Sequence, residues 1–523
     1  MTATAAPAAP AGPPVTYGGI RLLLITVALI LGPLVQVFDT ATVSIALRSM
    51  QGELSATQDQ IAWVITSYLI TLTVFTPVWG VLGGMFGRKR LILGSIVGFT
   101  SAAMLAGLST SLNEILIWRA VQGFFGSALL PLGMSSLLSV YPRDKLGVAM
   151  AWWGVGMMFG PMFGPTIGGF VTEYLTWRWA FFINLPIGIV AFLMTAFVVP
   201  RTGVRHYKKF NFFGFITLGI AIASLQFILD RGERYDWFDS STIITVMLIG
   251  LSAFWLFIVN VFTTRTPFIE PVLFKDRDYL AGTVLRALFG LIIFGSLVLM
   301  PPFIQDIGGY PPLLSGYAMA PRGAGTMIAS FFIGYLLPYF DPRKLIAISM
   351  MMIAGTMWQL STFTEDIDMT VFVINNFIQG LAFGAFMVPL NSLAFTTLSA
   401  DLRDAGTSFY SLVNNIGRSL GVALFSSYLV RSSQSYHEQL TEHVRPDNDT
   451  LRHIILPAPW SLDTPVGLAA IERTVLQQSK LLAYIADFQL ITLVILACMP
   501  ALLFMKNPLK LKRAEARARR AAA

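Results

Sequence analysis

GVGMMFGPMFGPTIGGF, residues 154–170, sets Gly156, Gly160, Gly164 and Gly168 at strict four-residue spacing, beside Pro161 and Pro165, with Gly169 added at the end. That spacing stacks the glycines along one face of a helix. A face without side chains lets a second helix approach at backbone distance, as small-residue faces do in bilayers. Each proline removes an intrahelical hydrogen bond and is expected to kink the helix. The expectation is therefore a bent membrane span packed closely on a partner helix.

The rest of the chain fits that setting. Of its 523 residues, 55% are hydrophobic and 12% charged, against about 25% charge in a soluble domain. Runs of about 20 apolar residues set the length of a span; fourteen such runs can be drawn, the second over 60–82 and the fifth over 147–171. All are of helix length, not the ten-residue alternation of a barrel. The fold class is all-α and polytopic.

Cations in short loops set the orientation. With the N-terminus cytoplasmic, Arg88, Lys89, Arg90, Arg143, Lys145, Arg201, Lys208, Lys209, Lys275 and Arg343 are among those facing inward, whereas the outer short loops hold Arg48, Arg178, Arg231 and Arg234. Both termini are expected in the cytoplasm. The net charge of +8 lies largely in these loops and the basic tail. It reads as topology and contact with anionic lipids, not as nucleic-acid binding. Cys498 is the one cysteine, which excludes an intrachain disulfide and a cysteine-rich metal site. His437, His443 and His453 match no zinc spacing, and no nucleophile motif or phosphate loop points to an enzyme. Neither a cofactor nor a metal is expected.

Ionisable groups inside apolar runs mark function by default. Asp39 lies in QVFDTATVSIAL, residues 36–47, with Gln36 one turn earlier. Arg119 and Gln122 share a face of EILIWRAVQGFFGSALLPL, residues 114–132. A guanidinium keeps its proton, so Arg119 must face water, a substrate or a carboxylate, and it can hold a nearby carboxylate ionised. Arg286, Arg322 and Arg418 are further intramembrane cations; they either make the interior tolerant of anions or supply partners for carboxylates such as Asp39. Trp152, Trp153, Met157 and Met158 adjoin the glycine-rich span and are candidates to line a substrate cavity, with Gln379 and Asn414.

A weak internal repeat aligns Gln122-Gly123 with Gln379-Gly380, Pro131 with Pro389, and Arg143-Asp144 with Arg403-Asp404, while Asn376 stands where Arg119 stands in the first copy. Repeated halves place a transport site at their interface. The organisation read from this is a cytoplasmic leader over 1–19, a six-helix half over 20–199, an inserted two-helix segment over 200–279, a second six-helix half over 280–505, and a basic tail over 506–523. The outer loop at 431–482 contains helical-looking stretches around LPAPWSLDTP, residues 456–465, and its length points to a docking surface.

These stretches together resemble the major facilitator superfamily, in particular its fourteen-span drug:proton antiporter branch and the inner-membrane pumps of tripartite efflux systems. The resemblance rests on FDTATVSIAL, on Arg119, Gln122 and Gly123, on the glycine-proline pattern of the fifth span, and on WRWAFFINLPIG. It implies proton-driven export of lipophilic compounds across the bacterial inner membrane, with a periplasmic membrane-fusion adaptor and an outer-membrane channel as partners, and makes Asp39 the candidate proton-linked carboxylate and Arg119 its coupling partner. Gly80, Gly84, Gly87, Arg88, Lys89 and Arg90 would form the cytoplasmic gating loop. Three departures stand out. Gly84 and Met85 replace the family's Asp-Arg pair in that loop, Asn414 occurs where relatives often carry an arginine, and Arg48 replaces a proline. A dedicated exporter of one metabolite and a non-transporting scaffold remain as rival readings, the second disfavoured by the cost of the buried charges.

Overall fold

The computed structural model describes residues 19–504 apart from 57, 143–144, 201–209, 265, 311, 338, 365–366, 445–459 and 462–463. The cytoplasmic leader, the basic tail, Arg143, Asp144, His453 and most of the proline-rich centre of the outer loop lie outside the described residues. No strand occurs among the described residues. The helices, in order, are α1 Gly19–Glu53, α2 Gln58–Phe75, α3 Val78–Phe86, α4 Arg88–Leu108, α5 Leu112–Val140, α6 Leu146–Tyr174, α7 Trp179–Phe182, α8 Asn184–Val198, α9 Phe212–Arg231, α10 Ser241–Thr263, α11 Arg277–Pro302, α12 Pro312–Leu336, α13 Pro342–Leu360, α14 Met369–Thr396, α15 Arg403–His443 and α16 Pro465–Cys498.

Helix starts follow local chemistry. Ser111, Asn211, Asp276, Asp341, Asp368 and Thr464 each accept a hydrogen bond from a first-turn N–H, satisfying donors that the helix itself leaves open. All fourteen predicted runs are helical. Among the described residues ten helices are long and apolar enough to cross a membrane, eleven if α2 and α3 count as one broken span bent by 56°. The break falls at Pro77, which cannot donate to the ladder, so the second span is two pieces that extend to Phe86 instead of one over 60–82. The other three runs, over α12, α13 and α15, are richer in small and polar residues. Helix α6 runs unbroken through Pro161 and Pro165, so the expected kink does not interrupt it.

Helices α1 to α8 pack on one another, as do α11 to α16, and α9 packs with α10. Helix α9 touches α2 of the first half and α15 of the second, whereas α10 packs chiefly on α9. The glycine face meets α1: a Cβ built on Gly156 collides with Ile30, one on Gly160 lies 2.8 Å from Val37 Cγ1, one on Gly164 lies 2.5 Å from Ala41 Cβ, and one on Gly168 lies 2.9 Å from Thr42 Cα. Gly169 has open space around its built Cβ and does not belong to the seam. A second bare face of α6 serves the other half, where Gly154 meets Ser330 and Gly147 meets Leu337 of the α12 region.

The predicted outer loop begins and ends as helix. The last turns of α15 and the first turns of α16 continue their spans, joined by a contact of 2.9 Å between His437 Nε2 and Glu472 Oε1. They leave a cavity of about 350 Å³ between Thr441, Val444, Leu468 and Val475. Glu233 in the 230–239 connection faces Arg431 at 3.8 Å and accepts a hydrogen bond from Trp237 Nε1 at 2.7 Å. At the same end, Glu53 receives Arg178 and the Trp177 indole, and the Arg178 guanidinium holds that carboxyl below its ordinary range.

Candidate functional site

Asp39, Arg119, Gln122 and Asn184 are fully buried and form one hydrogen-bonded unit. Arg119 Nη1 donates to Asp39 Oδ2 at 2.7 Å, Gln122 Nε2 to Asp39 Oδ1 at 2.9 Å, and Asn184 Nδ2 to the same oxygen at 2.7 Å. Arg119 also donates from Nη1 to Gln122 Oε1 at 2.8 Å and from Nε to the Val64 carbonyl at 3.0 Å, and it lies 4.2 Å above the Tyr68 ring. Three donors, one of them a permanent cation, thus converge on one carboxylate. The remaining Arg119 nitrogen, Nη2, is buried without a partner.

The glycine seam bears directly on this unit. Its contacts on α1 are Val37, Phe38, Ala41 and Thr42, the residues flanking Asp39 on the adjoining face. The turn of α1 that carries the carboxylate is therefore gripped from one side by bare backbone and from the other by Arg119, Gln122 and Asn184. Asp39 parts from its donors only if α1 moves relative to α5 and α8, which carry them.

A second polar cluster joins the two halves. Asp404, at the start of α15, accepts from Arg88 Nε at 2.6 Å and from Ser135 Oγ at 2.6 Å, and Arg403 Nη1 donates to the Leu138 carbonyl at 2.7 Å. Gly80 and Gly83 let α3 meet the first turn of α15: built Cβ atoms there lie 2.9 Å from the Asp404 carbonyl oxygen and 3.5 Å from Asp404 Cγ. The loop that lacks a carboxylate at Gly84 thus meets one supplied from the other half. Gly87 has φ +88°, a conformation suited to glycine, and Gly84 meets nothing. Lys89 Nζ donates to the Ala196 and Val199 carbonyls at the end of α8 at 2.7 Å each, and Arg90 is exposed.

The other predicted residues separate. Trp153 and Met157 are buried in the core of the first half, so they pack instead of lining a cavity. Trp152 meets the Phe331 ring edge-on at 6.2 Å across the halves, and Met158 is half-buried. Gln36 and Gln379 are buried with their Oε1 atoms unpartnered. Arg286, Arg322 and Arg418 lie in the second half beside aromatic rings, and Asn414 approaches Gly290 of α11. Asp39 is not shared with these arginines. Among the described residues no group of histidine, cysteine and carboxylates is arranged to hold a metal.

Three polar residues escaped sequence reasoning. Asn184 sits inside WRWAFFINLPIG, where a lone amide in an apolar run was the available signal. Asp404 was visible in the repeat as the counterpart of Asp144. Asp487 on α16 is fully buried with both carboxylate oxygens unpartnered; its place in the apolar run of the last span was the signal.

Over residues 29–422 the chain matches the family model described as Major Facilitator Superfamily. It is 33% identical over 432 residues to the multidrug export protein EmrB of Escherichia coli (strain K12), an alignment covering 82% of this chain and 84% of that protein. It is 28% identical over 492 residues to the fatty acid resistance protein FarB of Neisseria gonorrhoeae, covering 94% and 97%. The solved structure of the human organic anion transporter MFSD10 superposes with a TM-score of 0.60 at 13% identity, over 92% of this chain and 99% of that one, a likeness of fold.

Proposed function

This chain belongs to the major facilitator superfamily, and from that premise we propose that it is a proton-driven exporter of lipophilic drugs. The observation that carries the reading is the Asp39 unit: a carboxylate with no exposed surface, held by Arg119, Gln122 and Asn184. A membrane protein that only needed to fold has little reason to keep that charge. In the cycle, Asp39 is ionised while its donors surround it and takes a proton when α1 moves relative to α5 and α8 and the donors part. Exchange of proton for drug then biases the two states, because a ligand shifts an equilibrium only by differential affinity. A membrane potential of 100 mV contributes about 2.3 kcal/mol per charge, a gradient of roughly fifty-fold.

The Arg88–Asp404 cluster acts as the cytoplasmic gate, closed in this conformation. It and both termini lie on the cytoplasmic side of the bacterial inner membrane, a reading supported by the positive-inside pattern. The helical extensions of α15 and α16 then stand in the periplasm as the docking surface for a membrane-fusion adaptor leading to an outer-membrane channel. Support for an export role comes from the relative named a multidrug export protein.

The test is proton flux from inside-out vesicles containing the purified protein, with lipophilic cations and hydrophobic weak acids as substrates. Substrate-dependent alkalinisation of an acid-loaded lumen, abolished by Asp39→Asn, is expected. Unchanged flux in Asp39→Asn would remove that carboxylate from the coupling step.

A further inference from the structure

We propose that Asp487, on α16 in the second half, is a second proton-binding site, distinct from Asp39, which takes its proton from the outer water and returns it there. The proposal goes beyond the export reading: it adds a site that senses outer pH without adding to the protons carried with substrate. Only its side of the membrane is taken from the orientation given above.

Asp487 is fully buried, and neither of its carboxylate oxygens has a hydrogen-bond partner. Asp39, equally buried, holds three donors. An unpaired carboxylate in an apolar interior costs far more than the same group carrying a proton, so burial without a partner selects the neutral acid. No cation among the described residues answers it. The helices packed on α16 are α11, α13 and α15. Arg343 and Lys344 stand in the first turn of α13, at the opposite end of the half. Arg286 of α11 lies against the Phe289 and Tyr410 rings. On α15, Arg418 lies over Phe294 and Arg431 faces Glu233. Lys480, on α16 itself, is two turns outward, about 10 Å along the axis, and makes no bond to Asp487.

The surroundings are apolar on the inner side and polar on the outer. Inward along α16, Phe488, Ile491 and Ile495 are fully buried in the core of the second half, which leaves no polar path toward the cytoplasm along this helix. Outward, Tyr484 lies one turn away and within electrostatic reach of both Asp487 and Asp306, and Asp306 is exposed. Asp306 belongs to a π-helical turn, Phe303–Ile307, which follows Pro301 and Pro302 at the outer end of α11. There the Gly308 N–H donates to the Phe303 carbonyl at 3.3 Å, five residues back, and such turns recur at functional sites. The Phe303 ring packs on Tyr484 at 5.2 Å and on Phe488 at 5.1 Å, the residues on either side of Asp487. Movement of the turn therefore uncovers the carboxyl from the outside. The proton enters past Asp306 and Tyr484 and forms an O–H bond on one Asp487 oxygen; when it leaves for the outer water, the bonding pair stays on that oxygen as the carboxylate. The ionised form needs water or a donor that the packed state lacks, so ionisation loosens the outer end of α11 against α16 and protonation closes it.

Infrared spectroscopy of the purified protein in phosphatidylcholine nanodiscs reads the proton directly. At neutral pH a carbonyl band of a protonated carboxylic acid is expected, lost in Asp487→Asn and kept in Asp39→Asn. The same proton is counted by unfolding in mixed micelles titrated with dodecyl sulfate over a pH series. A group that keeps its proton only when folded loses stability as pH rises, so between the ordinary carboxylate range and the pH at which Asp487 ionises, the wild-type unfolding constant should rise about tenfold per pH unit relative to Asp487→Asn. Asp487→Glu, which retains the carboxyl, should restore both the band and the slope, and covers the case in which the Asn variant does not fold. In closed proteoliposomes sorted so that the α15 and α16 extensions face the medium, the band should fall when the medium is made alkaline and persist when only the lumen is. A band that survives in Asp487→Asn, or unfolding profiles of wild type and Asp487→Asn that run parallel with pH, would overturn the proton site. A band that follows the lumen alone would overturn exchange with the outer water. No substrate and no transport enter these measurements, so a chain without substrate-driven proton flux would sink the export reading and leave this site standing.

Discussion

Replacing Asp39 with Asn removes the acceptor of three hydrogen bonds and leaves the Arg119 guanidinium unpaired at zero exposure. With charge centres about 4 Å apart and an effective dielectric of about 20, the attraction lost is about 4 kcal/mol. The Asn oxygen still accepts from Gln122 or Asn184, returning roughly 1 kcal/mol. The expected net loss of about 3 kcal/mol agrees with the cost of breaking a buried pair by removing one partner. Arg119→Met should cost a similar amount by stranding the carboxylate. The double variant replaces the pair with neutral groups, a change that is often close to neutral, so its loss should fall short of the sum of the single losses by about 3 kcal/mol or more. Unfolding of all four proteins in mixed micelles titrated with dodecyl sulfate measures this cycle. Proton flux measured in parallel should be abolished in every variant, so recovered stability without recovered flux would separate the fold's need for the pair from the coupling step's. Single losses that simply add would show that Asp39 and Arg119 do not act as one unit and would refute the reasoning.

The glycine seam gives a paired test. Gly164→Ala drives a Cβ to 2.5 Å from Ala41 Cβ and should cost about 1–3 kcal/mol as overpacking, while Gly169→Ala, with nothing within 4 Å, should leave stability and export unchanged in the same assays. Arg88→Gln removes the charged donor from the Asp404 cluster and should shift the population toward an open cytoplasmic end by roughly 10-fold, about 1.4 kcal/mol. Spin-label distances between α3 and α15 in a Cys498→Ser background report the shift, and an unchanged distribution would deny the cluster a gating role. Asp487→Asn should keep or raise the unfolding midpoint, because no partner is lost; a loss above about 1 kcal/mol would mean the carboxylate is paired. Glu53 is depressed by Arg178, so its tether stabilises the folded state above the ordinary carboxylate range and is lost as pH falls through the lowered value. Amide protection over residues 50–56 should fall in acid, and Glu53→Gln should abolish that dependence.

Depth and spacing made part of this site legible. Asp39 and Arg119 stand out because a charge in an apolar run is conspicuous, and Gln122 because it shares Arg119's face. The glycines announce a bare surface by their period. What spacing does not give is the partner across the fold. Asn184 reaches Asp39 from 145 residues away, and Asp404 reaches Arg88 from 316, separations at which no periodic signal survives. The sequence lacks the expected loop carboxylate at Gly84, and nothing in its spacing says that Asp404 of the opposite half faces Arg88 of that loop. Trp153 and Met157 show the complementary limit: in a helix with apolar residues on every side, composition does not tell a packed face from one that lines a space.

Helix α15 is one uninterrupted element of 41 residues, about 60 Å long. It begins at Arg403 and Asp404, passes Arg418 midway, and ends at His443 beside Glu472. Gate, interior cation and outer tip thus ride on a single rod. A lever of that length amplifies small movements: tilting it by about 10° about its inner end would sweep the tip through about 10 Å, near twice the pitch of the helix. On the proposed reading, a partner at the tip would feel movement at Arg403 and Asp404 as a stroke, carried across the membrane by the helix itself.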